Sequence, residues 1–209
     1  MPIIESGRAP QWCELEHFAI VRLKPGEDRL FERLGLKEKL VVGQGKCTIT
    51  AADKATSALE GSNIDLIEGN GCFRAFDVQE EAVLIWLAGR WGDKLGGSGL
   101  FTVQNSADPK DSGDTAPYPK QTNFDRHYHD CDEYWIIFAG SALVVSEDRF
   151  YPLKAGQCLA TGMGHHHDFP EVLEPVSAVY FETTLEGQQR VGHLWNHTHG
   201  QAQPRIDRV

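Results

Sequence analysis

The sequence has no apolar run long enough to cross a bilayer: the longest, Ala82–Ala88 and Trp135–Ala139, fall far short of the roughly 18 residues that a spanning helix needs. The opening MPIIESGRAP has neither a basic cluster nor an apolar stretch before a small-residue cleavage site, so no secretory signal is expected and the chain is placed in the cytoplasm. Basic residues are scarce, with 20 Lys and Arg against 30 Asp and Glu and a formal charge of -10. A surface of that sign repels phosphate backbones and anionic lipid, so neither nucleic acid nor membrane is an expected partner. The five cysteines, Cys13, Cys47, Cys72, Cys131 and Cys158, contain no CxxC pair. This excludes a zinc ribbon and fits reduced thiols that serve as small core residues.

Helical periodicity is also scarce. Only Glu27–Leu34 and Glu186–His199 read as helices, and neither would carry a fold. What fills the chain is short β-branched and aromatic runs bounded by Gly, Pro, Asp or Asn: KLVVG, CTIT, AVLIWLAG and LFTV, then YWIIFAG, ALVVS, RFYPL and SAVYFET. Many short strands with few helices predict an all-β sandwich or barrel. Between the two sets lies NSADPKDSGDTAPYPKQTN, residues 105–123, rich in turn formers and without apolar periodicity. The expected organisation is therefore an N-terminal β domain over 1–105, a linker over 106–123 and a C-terminal domain over 124–209.

Histidine is distributed unevenly. Eight of the nine lie at or beyond position 127, and only His17 precedes them. Residues 124–140 read FDRHYHDCDEYWIIFAG, an H-x-H-x3-E spacing closed by Gly140. Alternate residues of a strand share a face, so His127 and His129 project together, and the irregular DCD step lets Glu133 return to that face. Two imidazoles and a carboxylate suit Fe, Mn, Co, Ni, Cu or Zn rather than Ca or Mg. Downstream, GQCLATGMGHHHDFP sets Gly156, Gly162, Gly164 and His167 in order and is the place to seek a fourth ligand.

Together these two segments resemble the paired motifs of the cupin superfamily, G(x)5HxH(x)3-4E(x)6G and G(x)5PxG(x)2H(x)3N. Gln121, Gly162 and Glu171 depart from the pattern at positions that are not ligands. The resemblance implies a double-stranded β-helix (jelly-roll) barrel and carries the metal ligands onto His127, His129, Glu133 and His167, with one divalent transition metal per chain (Fe, Mn, Ni, Cu or Zn). The adjacent His165 and His166 leave the register of the last ligand to the glycine spacing, which selects His167. A homodimer is the expected assembly.

Cupin barrels often occur in tandem, and aligning Gly45 with Gly140 sets Glu38 at the Glu133 position, Leu34 at His129 and Glu32 at His127. The implied arrangement is a degenerate N-terminal barrel without metal ligands beside a metal-binding C-terminal one; a single barrel with added N-terminal strands is the alternative.

Around the motif, Trp135 and Ile137 should line the interior with Glu133, while Tyr128 and Tyr134 point outward. In SAVYFETT either Tyr180 and Glu182 or Phe181 and Thr183 face inward. If the first pair does, Glu182 is the candidate catalytic base, because burial raises a carboxylate toward neutrality; the alternative is a solvated edge glutamate. Arg74, Arg126 and Arg149 are candidate anchors for a substrate carboxylate. Asp125, Asp130, Asp132 and Asp168 are candidate partners for the ligating imidazoles. His193 and His197 would share one face if their segment is helical, a spacing able to chelate a second metal; the alternative is that they are solvated or make ordinary hydrogen bonds, in a segment lying across a barrel mouth or a partner subunit.

A four-ligand site with open positions points to catalysis on a small polar metabolite. Three readings compete: a dioxygenase, a metal-dependent isomerase or epimerase, and a non-catalytic binding or storage protein. An interior of Trp and Ile favours the first, and Glu182 and Tyr180 around the metal favour the second.

Overall fold

The computed structural model describes residues 3–5, 7–51, 54–66, 71–110 and 112–209, and their regular secondary structure is almost wholly β-strand. The chain divides into two compact units. One comprises residues 6–9 and 14–91; the other comprises 1–5, 10–13 and 92–209. All five cysteines are free thiols, and all but Cys72 are buried.

After a short strand β1 (Ile3–Ile4), the N-terminal unit contains β2 (Leu15–Leu23), β3 (Arg29–Glu32), β4 (Lys37–Gln44), β5 (Lys46–Ala51), β6 (Lys54–Leu59), β7 (Asn63–Leu66), β8 (Cys72–Phe76) and β9 (Ala82–Gly89). They form two four-stranded antiparallel sheets, ordered β2-β9-β4-β7 and β3-β8-β5-β6. One apolar cluster joins them: Leu40, Val42, Leu84 and Trp86 from the first sheet meet Phe31, Ile49, Phe73 and Ala75 from the second. The two-residue period of inward side chains on each strand makes this a jelly-roll sandwich. Glu27–Leu34, read from sequence as a helix, contains strand β3 instead. Leu30 and Leu34 are exposed, so no apolar helical face exists, and the one buried side chain, Phe31, stacks on Phe73 across β8 at 4.7 Å.

The C-terminal unit contains β10 (Leu95–Val103), β11 (Glu133–Ser146), β12 (Arg149–Lys154), β13 (Cys158–Thr161) and β14 (His167–Thr184). Its sheet runs β1-β13-β11-β14-β10, with β12 also paired to β11. The YWIIFAG and ALVVS runs are one continuous strand, β11. Register shifts along its pairing with β14, the first between Ile137 and Ala139, bend this long ribbon around a core of Trp135, Ile137, Val144, Phe169 and Val176.

Residues 105–123 lie within this unit rather than between the two, and the division falls between Trp91 and Gly92. Asn105 and Thr122 form an isolated bridge, and Lys120 pairs with the buried Asp168 at 2.9 Å. The stretch Glu186–His199 is helical only over α1 (Asn196–His199). Positive φ at Gly187, Gln189 and Gly192 interrupts any longer helix, and Leu194 instead bridges in extended form to Tyr128.

The two units repeat one local design. Gly45 and Gly140 both take positive φ, 75° and 81°, and a Cβ on either would meet a carbonyl oxygen, 2.3 Å from Glu81 and 2.0 Å from Pro175. Upstream of these glycines the registers correspond: Glu38 opposes Ala88 and Leu40 opposes Trp86, as Glu133 opposes Glu182 and Trp135 opposes Tyr180.

Candidate metal centre

His127 and Tyr128 lie on extended chain held from both sides. His127 exchanges main-chain hydrogen bonds with His167, the first residue of β14, and Tyr128 does so with Leu194. Alternation then turns His127 and His129 inward and Tyr128 outward. Glu133 opens β11, facing Thr161 of β13 on one side and Glu182 of β14 on the other.

The four candidate ligands come together, each at most 3% exposed, with one donor atom from each inside a 4.8 Å cluster. Glu133 Oε2 lies 2.7 Å from His167 Nε2, 3.3 Å from His129 Nε2 and 4.0 Å from His127 Nε2. His127 Nδ1 is 2.8 Å from the carbonyl oxygen of Asp125, and His167 Nδ1 is 3.0 Å from that of His165. Donation to those carbonyls keeps the proton on Nδ1 and leaves the Nε2 lone pairs facing each other across 3.0 Å. His129 Nε2 and Glu133 Oε2 are buried 3.3 Å apart and make no hydrogen bond of normal geometry. Lone pairs of His127 and His167 that converge beside a buried carboxylate are costly unless a cation joins them, and these atoms fit one.

The electrostatics agree. Burial, helped by the neighbouring imidazoles, holds His127 well below its ordinary value, and burial also lowers His167 despite Glu133. Glu133 stays well below the usual carboxylate range because His129 and His167 outweigh its burial. At His129 burial is overcome by the carboxylates of Glu133 and Glu182, which raise it to about 8.

The inward face of β14 carries Tyr180 and Glu182, settling the alternative left open by the sequence. Glu182 Oε1 is 3.8 Å from His129 Nδ1, and burial together with the charge of Glu133 raises its carboxyl. Glycines of β10 make the room. A Cβ on Gly96 would sit 2.5 Å from Glu182 Oε2, and one on Gly99 would sit 2.8 Å from the Tyr180 ring. The LGGSGL run of β10 carries the sequence signal for this, since glycine inside a strand marks just such a close approach. Behind the ligands, Trp135 meets His167 at 5.0 Å and Phe169 at 4.5 Å, and Phe101 and Phe124 complete an aromatic wall.

Several expected contacts are absent among the described residues. No aspartate carboxylate takes the Nδ1 hydrogen bond of His127 or His167; main-chain carbonyls do so. Asp130 binds Arg190, Asp132 binds Arg208 and the amide of Met163, and Asp168 binds Lys120 and Tyr118. The candidate substrate anchors point elsewhere: Arg126 pairs with Asp148, Arg74 with Asp28, and Arg149 is exposed. His193 and His197 do not form a chelating pair. His193 goes to Asp125 at 2.7 Å and His197 to Asp114 at 2.5 Å. His166, the neighbour that clouded the register, also binds Asp114, at 2.8 Å.

In the N-terminal unit the equivalent carboxylate, Glu38, is buried and already satisfied. It accepts hydrogen bonds from the amides of Leu34 and Gly35 and from Trp86 Nε1, and Arg33 Nε lies 3.5 Å away. A guanidinium and backbone donors stand where imidazoles would be needed.

No family model matches the chain. It is 44% identical over 210 residues to "Uncharacterized protein y4oW" of Sinorhizobium fredii, covering 100% of this chain and 97% of that protein. Among solved structures it is similar in fold to Bacillus subtilis oxalate decarboxylase, described for its Mn(II) centers, with a TM-score of 0.59, 11% identity and coverage of 92% of this chain and 74% of the other. Vicilin from Corylus avellana gives a TM-score of 0.54 at 9% identity, covering 87% and 79%. AerE from Microcystis aeruginosa gives 0.53 at 12%, covering 81% and 87%.

Proposed function

The chain belongs to one family with the Sinorhizobium protein and to the cupin superfamily, and on that premise we propose that it is a mononuclear metalloenzyme of the dioxygenase type acting on a small polar metabolite. The observation that carries this reading is the convergence of three buried imidazoles and one buried carboxylate, with one donor atom from each inside a 4.8 Å cluster. His127, His129, Glu133 and His167 would hold one divalent transition metal, and four protein donors leave positions for an outside ligand. The bound ion would supply Lewis acidity and, as Fe, Mn or Cu, a site for oxygen chemistry.

The chain's own residues do the rest. The carbonyls of Asp125 and His165 fix two imidazoles in the ligating tautomer, and Trp135, Phe101, Phe124 and Phe169 exclude water from the inner side of the site. Glu182, raised by burial, takes or returns a proton beside His129. That same residue supports a second reading, a metal-dependent isomerase or epimerase, which needs a base near the metal.

The test is oxygen uptake by protein loaded separately with Fe(II), Mn(II) and Zn(II), offered a panel of small hydroxy and keto compounds. Uptake with Fe or Mn and none with Zn is expected. Interconversion of a hydroxy-carbonyl compound without oxygen uptake would favour the isomerase and reject the oxygenase.

A further inference from the structure

The chain that follows α1 runs back across the turn between β13 and β14 and packs on its main chain. Arg205 donates its amide to the Met163 carbonyl at 3.0 Å, and His165 Nε2 lies 2.9 Å from the Arg205 carbonyl oxygen. Two glycines of the turn make this close approach possible. A Cβ on Gly162 would meet the Arg208 carbonyl oxygen at 2.4 Å and the Arg208 Cβ at 2.5 Å, and one on Gly164 would meet the Gln203 carbonyl oxygen at 2.4 Å. Gly162 stands where the second cupin motif carries proline, so this departure from the motif is what admits the segment.

Arg208 then reaches the chain that carries the ligands. Its Nη1 donates to Asp132 Oδ1 and its Nη2 to Glu186 Oε1, both at 2.8 Å; the Asp132 side chain is 1% exposed and that of Arg208 15%. Asp132 Oδ1 also accepts the amide of Met163 at 2.8 Å, and the amide of Gly164 donates to the His129 carbonyl at 2.9 Å. One buried carboxylate oxygen thus ties the segment 203–208 and the turn 162–164 to the residue that precedes Glu133. These pieces of chain lead directly into His129, Glu133 and His167. A guanidinium held between two carboxylates in a largely buried place is a fixed fork rather than a loose surface pair, so its loss is felt along that chain.

We infer that Arg208 is a positioning residue for the metal site: it closes the junction of Asp132 with the turn at Met163 and so keeps His129, Glu133 and His167 in ligating register. This rests on the metal-binding reading above and adds that retention of the ion depends on the segment 203–208, which supplies no ligand itself. An ion leaves when its ligands swing apart one after another, and groups that fix the ligand-bearing chain slow that step.

The test follows release of Co(II) from loaded full-length protein into excess EDTA, through the visible absorption of the cobalt, beside urea denaturation of each metal-free variant. Arg208→Met removes the guanidinium, Arg208→Lys keeps a charge that can reach Asp132, and Gly162→Ala pushes Arg208 off the turn without altering its side chain. Val176→Ala, in the same core but at the far end of the β10 and β14 pairing from Glu182, gives the release expected from lost stability alone. Release about tenfold faster than wild type is expected in Arg208→Met and in Gly162→Ala, the lower end of what supporting partners of metal ligands contribute, with Arg208→Lys in between. The variant carrying both Gly162→Ala and Arg208→Met should release no faster than either alone, because both open one junction. Wild-type release from Arg208→Met, release that Val176→Ala matches at equal loss of stability, or multiplied effects in the combined variant would each overturn the inference. Should Arg208→Met fail to fold, Gly162→Ala and Arg208→Lys decide by the same comparison with Val176→Ala. Wild-type protein that takes up no cobalt at all would instead refute the metal reading beneath it.

Discussion

Glu133 and Glu182 oppose each other on adjacent strands, and the same barrel interior shifts their titration in opposite directions. His129 and His167 hold Glu133 charged, whereas burial and the charge of Glu133 push Glu182 toward the neutral form. Two carboxylates whose environments split their titration in this way are suited to two roles, one as a ligand and one as a proton carrier.

Glu182→Gln is therefore expected to keep metal content and fold while reducing turnover by a factor of about 100 or more, the usual contribution of a positioned acid or base. Glu133→Gln is expected to lose the metal. Elemental analysis alongside turnover separates the two, and equal metal loss in both variants would place Glu182 among the ligands instead.

Gly96→Ala tests the cradle. The added methyl would lie 2.7 Å from Glu182 Cβ and 3.0 Å from Cys131 Sγ. Overpacking of that kind costs about 1–3 kcal/mol, and here it also displaces the carboxyl. Urea denaturation should register the loss of stability, and turnover should fall further than stability alone explains.

Metal uptake should depend on pH. Without a cation His129 keeps a proton up to about pH 8, and that proton must leave when the metal binds. Below pH 8 the apparent affinity should fall about tenfold per pH unit, since one proton competes for one site. Competition titrations between pH 6.5 and 8.5 measure the slope, and a flat profile would show that His129 is not displaced.

Asp114 fastens the C-terminal segment outside the barrel, receiving the amide of Asn196 together with His166 and His197. Burial alone would raise its carboxyl, but these partners overcome that and bring it down from 3.8 to about 2. A lowered carboxyl stabilises the fold above the unfolded value and loses that contribution as pH falls through the folded one. Asp114→Asn should thus lose about 2 kcal/mol at neutral pH. The gap between variant and wild type should narrow from pH 4 to pH 2 in paired urea titrations.

The sequence made the cluster of candidate ligands legible because its chemistry is local. His127, His129 and Glu133 sit within one strand-and-turn segment, and only His167 had to be brought in by resemblance. Inward Trp135 and Ile137 followed from the same two-residue period. The face of β14 was illegible, since SAVYFETT is apolar on both sides and Gly96 and Gly99, on another strand, decide which side chains have room. The spacing of His193 and His197 left a chelating pair and ordinary hydrogen bonds both open, and the second is what the structure holds. Glycines at 187 and 192 break the helix such a pair needs and send each histidine to a different aspartate. Glu27–Leu34 failed for a related reason: its leucines are spaced for a helix, but only Phe31 finds a core to enter.

The central claim is that four side chains hold a metal, and the most direct measurement is the metal content of untagged protein purified anaerobically without chelator, beside a variant carrying His127→Ala and His167→Ala. The account predicts about one Fe, Mn, Ni, Cu or Zn per chain, held by the cluster of His127, His129, Glu133 and His167, and none in the variant. Wild-type protein that carries no metal and takes none up on addition would contradict it.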